Sequence, residues 1–182
     1  MSLARPAQPR VDPDPDVLAE NRGQQTANVR ATLGLHPEFY RGAFGALSRF
    51  IGDETSTPHR QRELVILRTG WNCGSQYEFG QHTLFGRKAG LTDAEIVALT
   101  RPLTTFPWAE EDKLLLEMAD ELYTDCSVSD PTWVRLAARW SPKEILEFVV
   151  LIGSYFMVSA ILNTFGVQLD DGVPGWPNIS PA

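Results

Sequence analysis

Between about residue 25 and residue 168, apolar side chains recur at intervals of three and four. This is the period of a helix buried along one side. No run alternates apolar with polar residues between hairpin-type turns, so strands are not expected. Pro37 opens a segment in which Phe39, Ala43, Ala46, Leu47 and Phe50 share a side, and Gly52 stops it. Thr57, followed by Pro58, predicts the cap of a second helix that runs through Leu64-Val65-Ile66-Leu67 to Gly70. A third helix is expected from Ser75 to Ala89, closed by Gly90, and Thr92 with Glu95 forms a capping box for a short fourth. Beyond Pro107, Leu114, Leu115, Met118 and Leu122 mark another helix, followed by one from about Asp130 to Trp140. Ser141 and Glu144 then cap a long apolar helix to Phe165. The pattern predicts an all-α, single-domain bundle.

Two stretches are apolar around the whole helical circumference, Leu64 to Leu67 and Phe148 to Leu162. Each is expected to be central or to lie against another copy, which favours an oligomer. The second stretch spans about 15 residues, short of the roughly 20 that cross a bilayer, so no membrane partner is expected. The ends differ: residues 1–24 are expected to be an extended N-terminal arm, 25–168 the helical domain, and 169–182 a Pro/Gly-rich tail.

A chain of 182 residues, 43% hydrophobic and 21% charged, is globular and long enough for a core without metal or disulfide staples. Its net charge of −7 would repel a phosphate backbone, so no nucleic-acid partner is expected. Cys73 and Cys126 form neither a CxxC pair nor a disulfide framework, and the N-terminus lacks an apolar leader core. A cytoplasmic location is therefore expected. His36 and His59 lie in no HxxxH or HExxH pair, and no metal is expected.

The candidate chemistry lies on the third helix. At 100° per residue, Ser75, Glu78 and His82 share a face about 60° wide, while Cys73 points away as a small apolar residue would. Glu63 lies just ahead of the apolar run on the preceding helix, and an antiparallel hairpin brings it level with Glu78 and His82. A desolvated glutamate beside a histidine makes a proton relay. Two plainer readings stand beside it. Glu78 and His82 at i and i+4 make an ordinary surface pair, and Glu63, flanked by Arg60, Arg62 and Arg68, makes a structural ion-pair centre. Trp71, Tyr77, Phe79 and Phe85 are expected in the core or an interface, with one or two roofing a pocket.

Residues 60–96, RQRELVILRTGWNCGSQYEFGQHTLFGRKAGLTDAEI, resemble the carboxymuconolactone decarboxylase family within the AhpD-like alkylhydroperoxidase superfamily. The resemblance extends more weakly over residues 35–168 and implies an AhpD-like helical bundle that assembles into a homo-trimer or homo-hexamer. The redox branch of that superfamily carries Glu, eleven residues, Cys-x-x-Cys, three residues and His. Here the spacing survives as Glu63, Ser75, Glu78 and His82, with both cysteines replaced. Without thiols at these positions, the peroxidase or disulfide chemistry of that branch is not expected. The resemblance then implies a cofactor-independent decarboxylase, or a related lyase or isomerase, acting on a small unsaturated carboxylic acid or lactone. In that reading His82 donates or relays the proton, Glu63 is its buried partner and Glu78 orients it or serves as a second acid/base. Ser75 hydrogen-bonds substrate and Arg60 meets a substrate carboxylate, with Arg62 and Arg68 as alternatives. Two other readings stay open, a thiol peroxidase using Cys73 and a non-catalytic oligomeric binding protein.

Overall fold

Both capping boxes close as the sequence implies. Thr92 accepts the Glu95 N–H while Glu95 accepts that of Thr92, and Ser141 and Glu144 do the same at the start of the last helix. They fix two helix starts in a computed structural model that describes residues 6–177, apart from the side chains of residues 53 and 54. The α-helices are α1 (Pro15–Glu20), α2 (Ala27–Gly34), α3 (Gly45–Arg49), α4 (His59–Asn72), α5 (Gln76–Lys88), α6 (Asp93–Ala98), α7 (Glu110–Asp125), α8 (Asp130–Ala137) and α9 (Pro142–Phe165). No strand occurs among the described residues.

Helix α4 is the axis, packed against α5, α7 and α9. Its Leu64, Val65, Ile66 and Leu67 are at most 1% exposed because one side of the helix feeds each of two cores. Val65 and Ile66 join Leu115, Met118, Phe148 and Leu151, whereas Leu64 and Leu67 join Phe79, Leu99 and Leu116. Each such side chain contributes about 1.5–3 kcal/mol relative to exposure. Two glycines set the α4–α5 approach: a Cβ on Gly70 would lie 3.4 Å from the Phe79 nitrogen, and one on Gly86 only 3.2 Å from Leu67 Cδ1. Gly74, at φ +59, makes the left-handed turn between the two helices.

Several expectations change. Thr57 makes no side-chain cap; Pro58 holds the N-cap position and α4 begins at His59. The segment opened by Pro37 is helical but wider-wound on either side of α3, with π-type turns over Phe39–Phe44 and Phe50–Glu54. The stretch expected as an extended arm contains α1, because Asp14 accepts the Asp16 and Val17 N–H groups and Val17 is buried against α2. The tail is likewise tied down as far as it is described, since buried Asp170 accepts from Tyr77 Oη (2.5 Å), Gln81 Nε2 (2.7 Å) and the Asn28 N–H (3.0 Å). Trp176 follows, edge-on to Trp71 at 5.2 Å between ring centroids and 5.3 Å from Phe79. The remainder of both ends, residues 1–5 and 178–182, lies outside the described residues. Helix α9 has 24 residues, so by length and composition it reaches the span of a bilayer, unlike the shorter run counted from the sequence. Its inner face, with Phe148, Leu151 and Leu162, is core, while Leu146, Val149 and Phe156 are exposed.

Candidate active site

The α4–α5 hairpin carries out the convergence that the sequence implies. His82 Nδ1 lies 2.6 Å from Glu63 Oε2 on α4, and its Nε2 lies 2.9 Å from Glu78 Oε1 one turn back on α5. Glu78 is 4% exposed and His82 8%, so this is neither a solvated surface pair nor an arginine-centred cluster around Glu63. The flanking arginines go elsewhere: Arg60 to Asp112 (2.7 Å) and Glu95, and Arg68 to Asp120 (2.6 Å) and the carbonyls of Leu99 and Arg101.

A neutral imidazole donates from only one nitrogen, yet both nitrogens here face carboxylates, and only the imidazolium donates to both. Burial alone would lower the His82 pKa. The charge and hydrogen bond of Glu63, then those of Glu78, outweigh it and push the pKa up to about 10. His82 is therefore a proton-loaded imidazolium at neutral pH. It is held in an aromatic slot, edge-on to Tyr155 with centroids 4.9 Å apart and tilted against Phe85 at 5.3 Å.

Glu78 and His82 open onto a cavity of about 260 Å³, small beside the roughly 300–1,000 Å³ of drug-sized sites. Phe44, Leu47, Ile51, Phe85 and Val158 form much of its apolar wall, and Arg62 and Tyr155 add polar groups. Burial, then the carboxylates of Glu78 and Glu63, hold the Tyr155 phenol well above its ordinary pKa, against an opposing effect of Arg62. Glu63 stands off the cavity wall, behind the imidazole.

Two expected site residues are displaced. Ser75 is 0% exposed, is not part of the cavity wall, and its hydroxyl has no partner among the described residues. Arg60, spent on two acids, does not line the cavity; Arg62 does, because two residues turn a helix by about 200°. Cys73 lies at the carboxyl end of α4, beside a separate surface depression with Tyr123 and Phe156. Tyr155 was not singled out from the sequence; its signal was a phenol inside an otherwise apolar run. Among the described residues, none form a group arranged to hold a metal ion.

With this geometry the family comparison is specific: residues 37–120 match the carboxymuconolactone decarboxylase family. Over that stretch the chain is similar to this family. The matched stretch begins at Pro37 and covers the cavity wall of residues 44–52, the α4–α5 hairpin with Glu63, Glu78 and His82, and most of α7. Its fold is AhpD-like. A protein of unknown function from Agrobacterium tumefaciens superposes with a TM-score of 0.70 at 23% identity, covering 76% of this chain and 94% of that one. An uncharacterized peroxidase-related protein from Silicibacter sp. does so with 0.75 at 14% identity, covering 93% of each. The debrominase Bmp8, in a variant complexed with 2,3,4-tribromopyrrole, gives 0.71 at 17% identity over 94% of this chain and 93% of that one. No curated protein matches the chain. The family match supports an enzyme-like function at family level.

Proposed function

We propose that this protein is a cofactor-independent acid–base enzyme of the decarboxylase or double-bond isomerase type, acting on a small unsaturated carboxylic acid or lactone. The observation that carries the reading is an imidazolium clamped between two carboxylates, one of which, Glu78, forms part of the wall of a small, largely apolar cavity. Both His82 nitrogens are occupied, so the imidazolium is the proton store and Glu78 the group that hands the proton on. The Nε2 proton passes to Glu78 Oε1, and Glu78 delivers it to a substrate carbon while Glu63 keeps Nδ1–H oriented. In a decarboxylation the C–CO₂ bond breaks, its electron pair delocalises into the unsaturated system, and the delivered proton forms the new C–H bond. In an isomerisation the same group returns a proton taken from another carbon. A thiol route has less support, because neither Ser75 nor Glu78 supplies a thiolate and Cys73 lies off the cavity.

The same reading includes a homo-oligomer, a trimer or hexamer, assembled through the apolar outer face of α9. Leu146 (61% exposed) and Phe156 (48%) on α9 lie uncovered, as does Trp133 on α8. Light scattering on the purified protein reads this directly: a monomer at micromolar concentration contradicts it.

The activity test supplies unsaturated acids and their lactones and follows released CO₂ and the change in double-bond absorbance. Glu78→Gln, which keeps the shape and removes the transferable proton, should lower turnover by on the order of 100-fold or more. Absence of turnover by the wild type across the series, or an undiminished rate in Glu78→Gln, overturns the reading.

A further inference from the structure

The arginines that form ion pairs are matched to acids: Arg60 to Asp112 and Glu95, Arg68 to Asp120, Arg87 to Asp93, and Arg135 to Glu110 and Glu117. Arg62 differs. It is 7% exposed, yet its hydrogen bond goes to a neutral group, the Gly52 carbonyl, at 3.2 Å, and its Nε has no partner among the described residues. A guanidinium keeps its proton at any ordinary pH, so its buried charge is not relieved by neutralisation. Removing such a group from water without a hydrogen-bonded counter-charge is costly, and an arriving anion offsets that cost. The guanidinium also borders the same cavity as Glu78, His82 and Tyr155.

Unused hydrogen-bonding capacity points the same way. Of the buried cavity-lining atoms that have no partner among the described residues, Arg62 Nε is a donor and Gln81 Oε1 an acceptor, so the donor left for an anion is the cationic one. Arg30 borders the cavity as well and bonds to the neutral Thr26 Oγ1 (2.8 Å) and Asn21 Oδ1 (3.3 Å), which adds positive potential at the wall. The remaining walls are mostly apolar and the volume is small.

We propose that Arg62 is the anchoring cation for the carboxylate of a small, largely apolar ligand, seated so that the rest of the ligand lies against Glu78, His82 and Tyr155. This rests on the acid–base reading for the ligand's being the substrate. The anchoring itself rests on Arg62 and the cavity. A planar fork on a planar carboxylate fixes the ligand's orientation as well as its charge, so Arg62 determines specificity for acids over their neutral analogues.

Binding, read without turnover, tests this. Crotonate and benzoate are titrated against crotonamide and benzamide by calorimetry and by thermal shift. The wild type should bind the acids on the order of tenfold or more tighter than the amides. Arg62→Gln should erase that preference, and Arg62→Lys should retain it at reduced affinity. Equal affinity for acid and amide in the wild type overturns the proposal, as does an undiminished preference in folded Arg62→Gln or the absence of acid binding at millimolar concentration. If Arg62→Gln does not fold, the wild-type ratio and Arg62→Lys decide by the same criteria, and an Arg62→Lys protein without any acid preference overturns it too. Glu78→Gln separates the two readings because it should stop turnover and keep the acid preference. Charge-selective binding with no turnover of any unsaturated acid overturns the acid–base reading alone. Turnover without charge selectivity overturns the Arg62 anchor alone.

Discussion

Replacing His82 with glutamine should flatten the pH dependence of folding stability. In the native protein the imidazole pKa is about 10, against 6.5 for the free side chain. Below pH 6.5 both the folded and unfolded chains carry the proton, and the contribution of the carboxylate clamp is fully present. Above that pH the unfolded chain has released a proton the folded chain still holds. The contribution therefore falls as pH rises and is gone once pH passes the folded value. At about 1.36 kcal/mol per pH unit the interval bounds the loss near 5 kcal/mol. Relaxation of the two carboxylates and entry of water as the charge disappears reduce it, and we expect about 2–4 kcal/mol. Urea unfolding of the wild type at a series of pH values across this interval should show the midpoint falling by roughly 1–2 M, given the usual urea dependence of small proteins. His82→Gln should lose less than about 1 kcal/mol over the same range. The slopes are compared rather than the absolute stabilities, because the variant starts lower with two carboxylates facing an amide. Parallel slopes would refute the reasoning.

Three further outcomes follow from particular contacts. Gly80→Ala should destabilise by about 1–3 kcal/mol and change the tryptophan fluorescence, because a Cβ there overlaps the Pro174 carbonyl oxygen and displaces the segment carrying Trp176; an unchanged melting temperature and spectrum would contradict that packing. Ser75→Ala removes a buried hydroxyl that has no partner, so it should be neutral or stabilising by up to about 1 kcal/mol and leave turnover intact; a large loss of activity would return Ser75 to the site. Iodoacetamide should label exposed Cys126 quickly and half-buried Cys73 slowly, since the reagent reaches the exposed thiol more freely; rapid labelling of Cys73 with peroxide consumption would revive the thiol reading.

How much of this was legible in the sequence depended on how local the cause was. The capping boxes at Thr92 and Ser141 and the apolar faces of α4, α7 and α9 are written in neighbouring residues, and the helices stand accordingly. The Glu63–His82 contact was also readable, because a single hairpin with small residues at Gly70 and Gly86 fixes the level at which the two side chains meet. The choice between Arg60 and Arg62 was not. Arg60 is claimed by Asp112 on α7 and Glu95 in the first turn of α6, and nothing near position 60 announces either acid. The ordered tail depends on Asp170 reaching Asn28, 142 positions earlier in the chain, and on Tyr77 and Gln81. Helical spacing puts Ser75 on one stripe with Glu78 and His82, but it is the N-cap residue of α5, with extended backbone, and is buried outside the cavity wall.

The protonation state of His82 is the point on which the relay turns, and nitrogen-15 NMR of the imidazole ring reads it directly. Both ring nitrogens should carry protons at neutral pH and titrate together near pH 10. A single neutral tautomer at pH 7, titrating near the free-histidine value of about 6.5, would contradict the account.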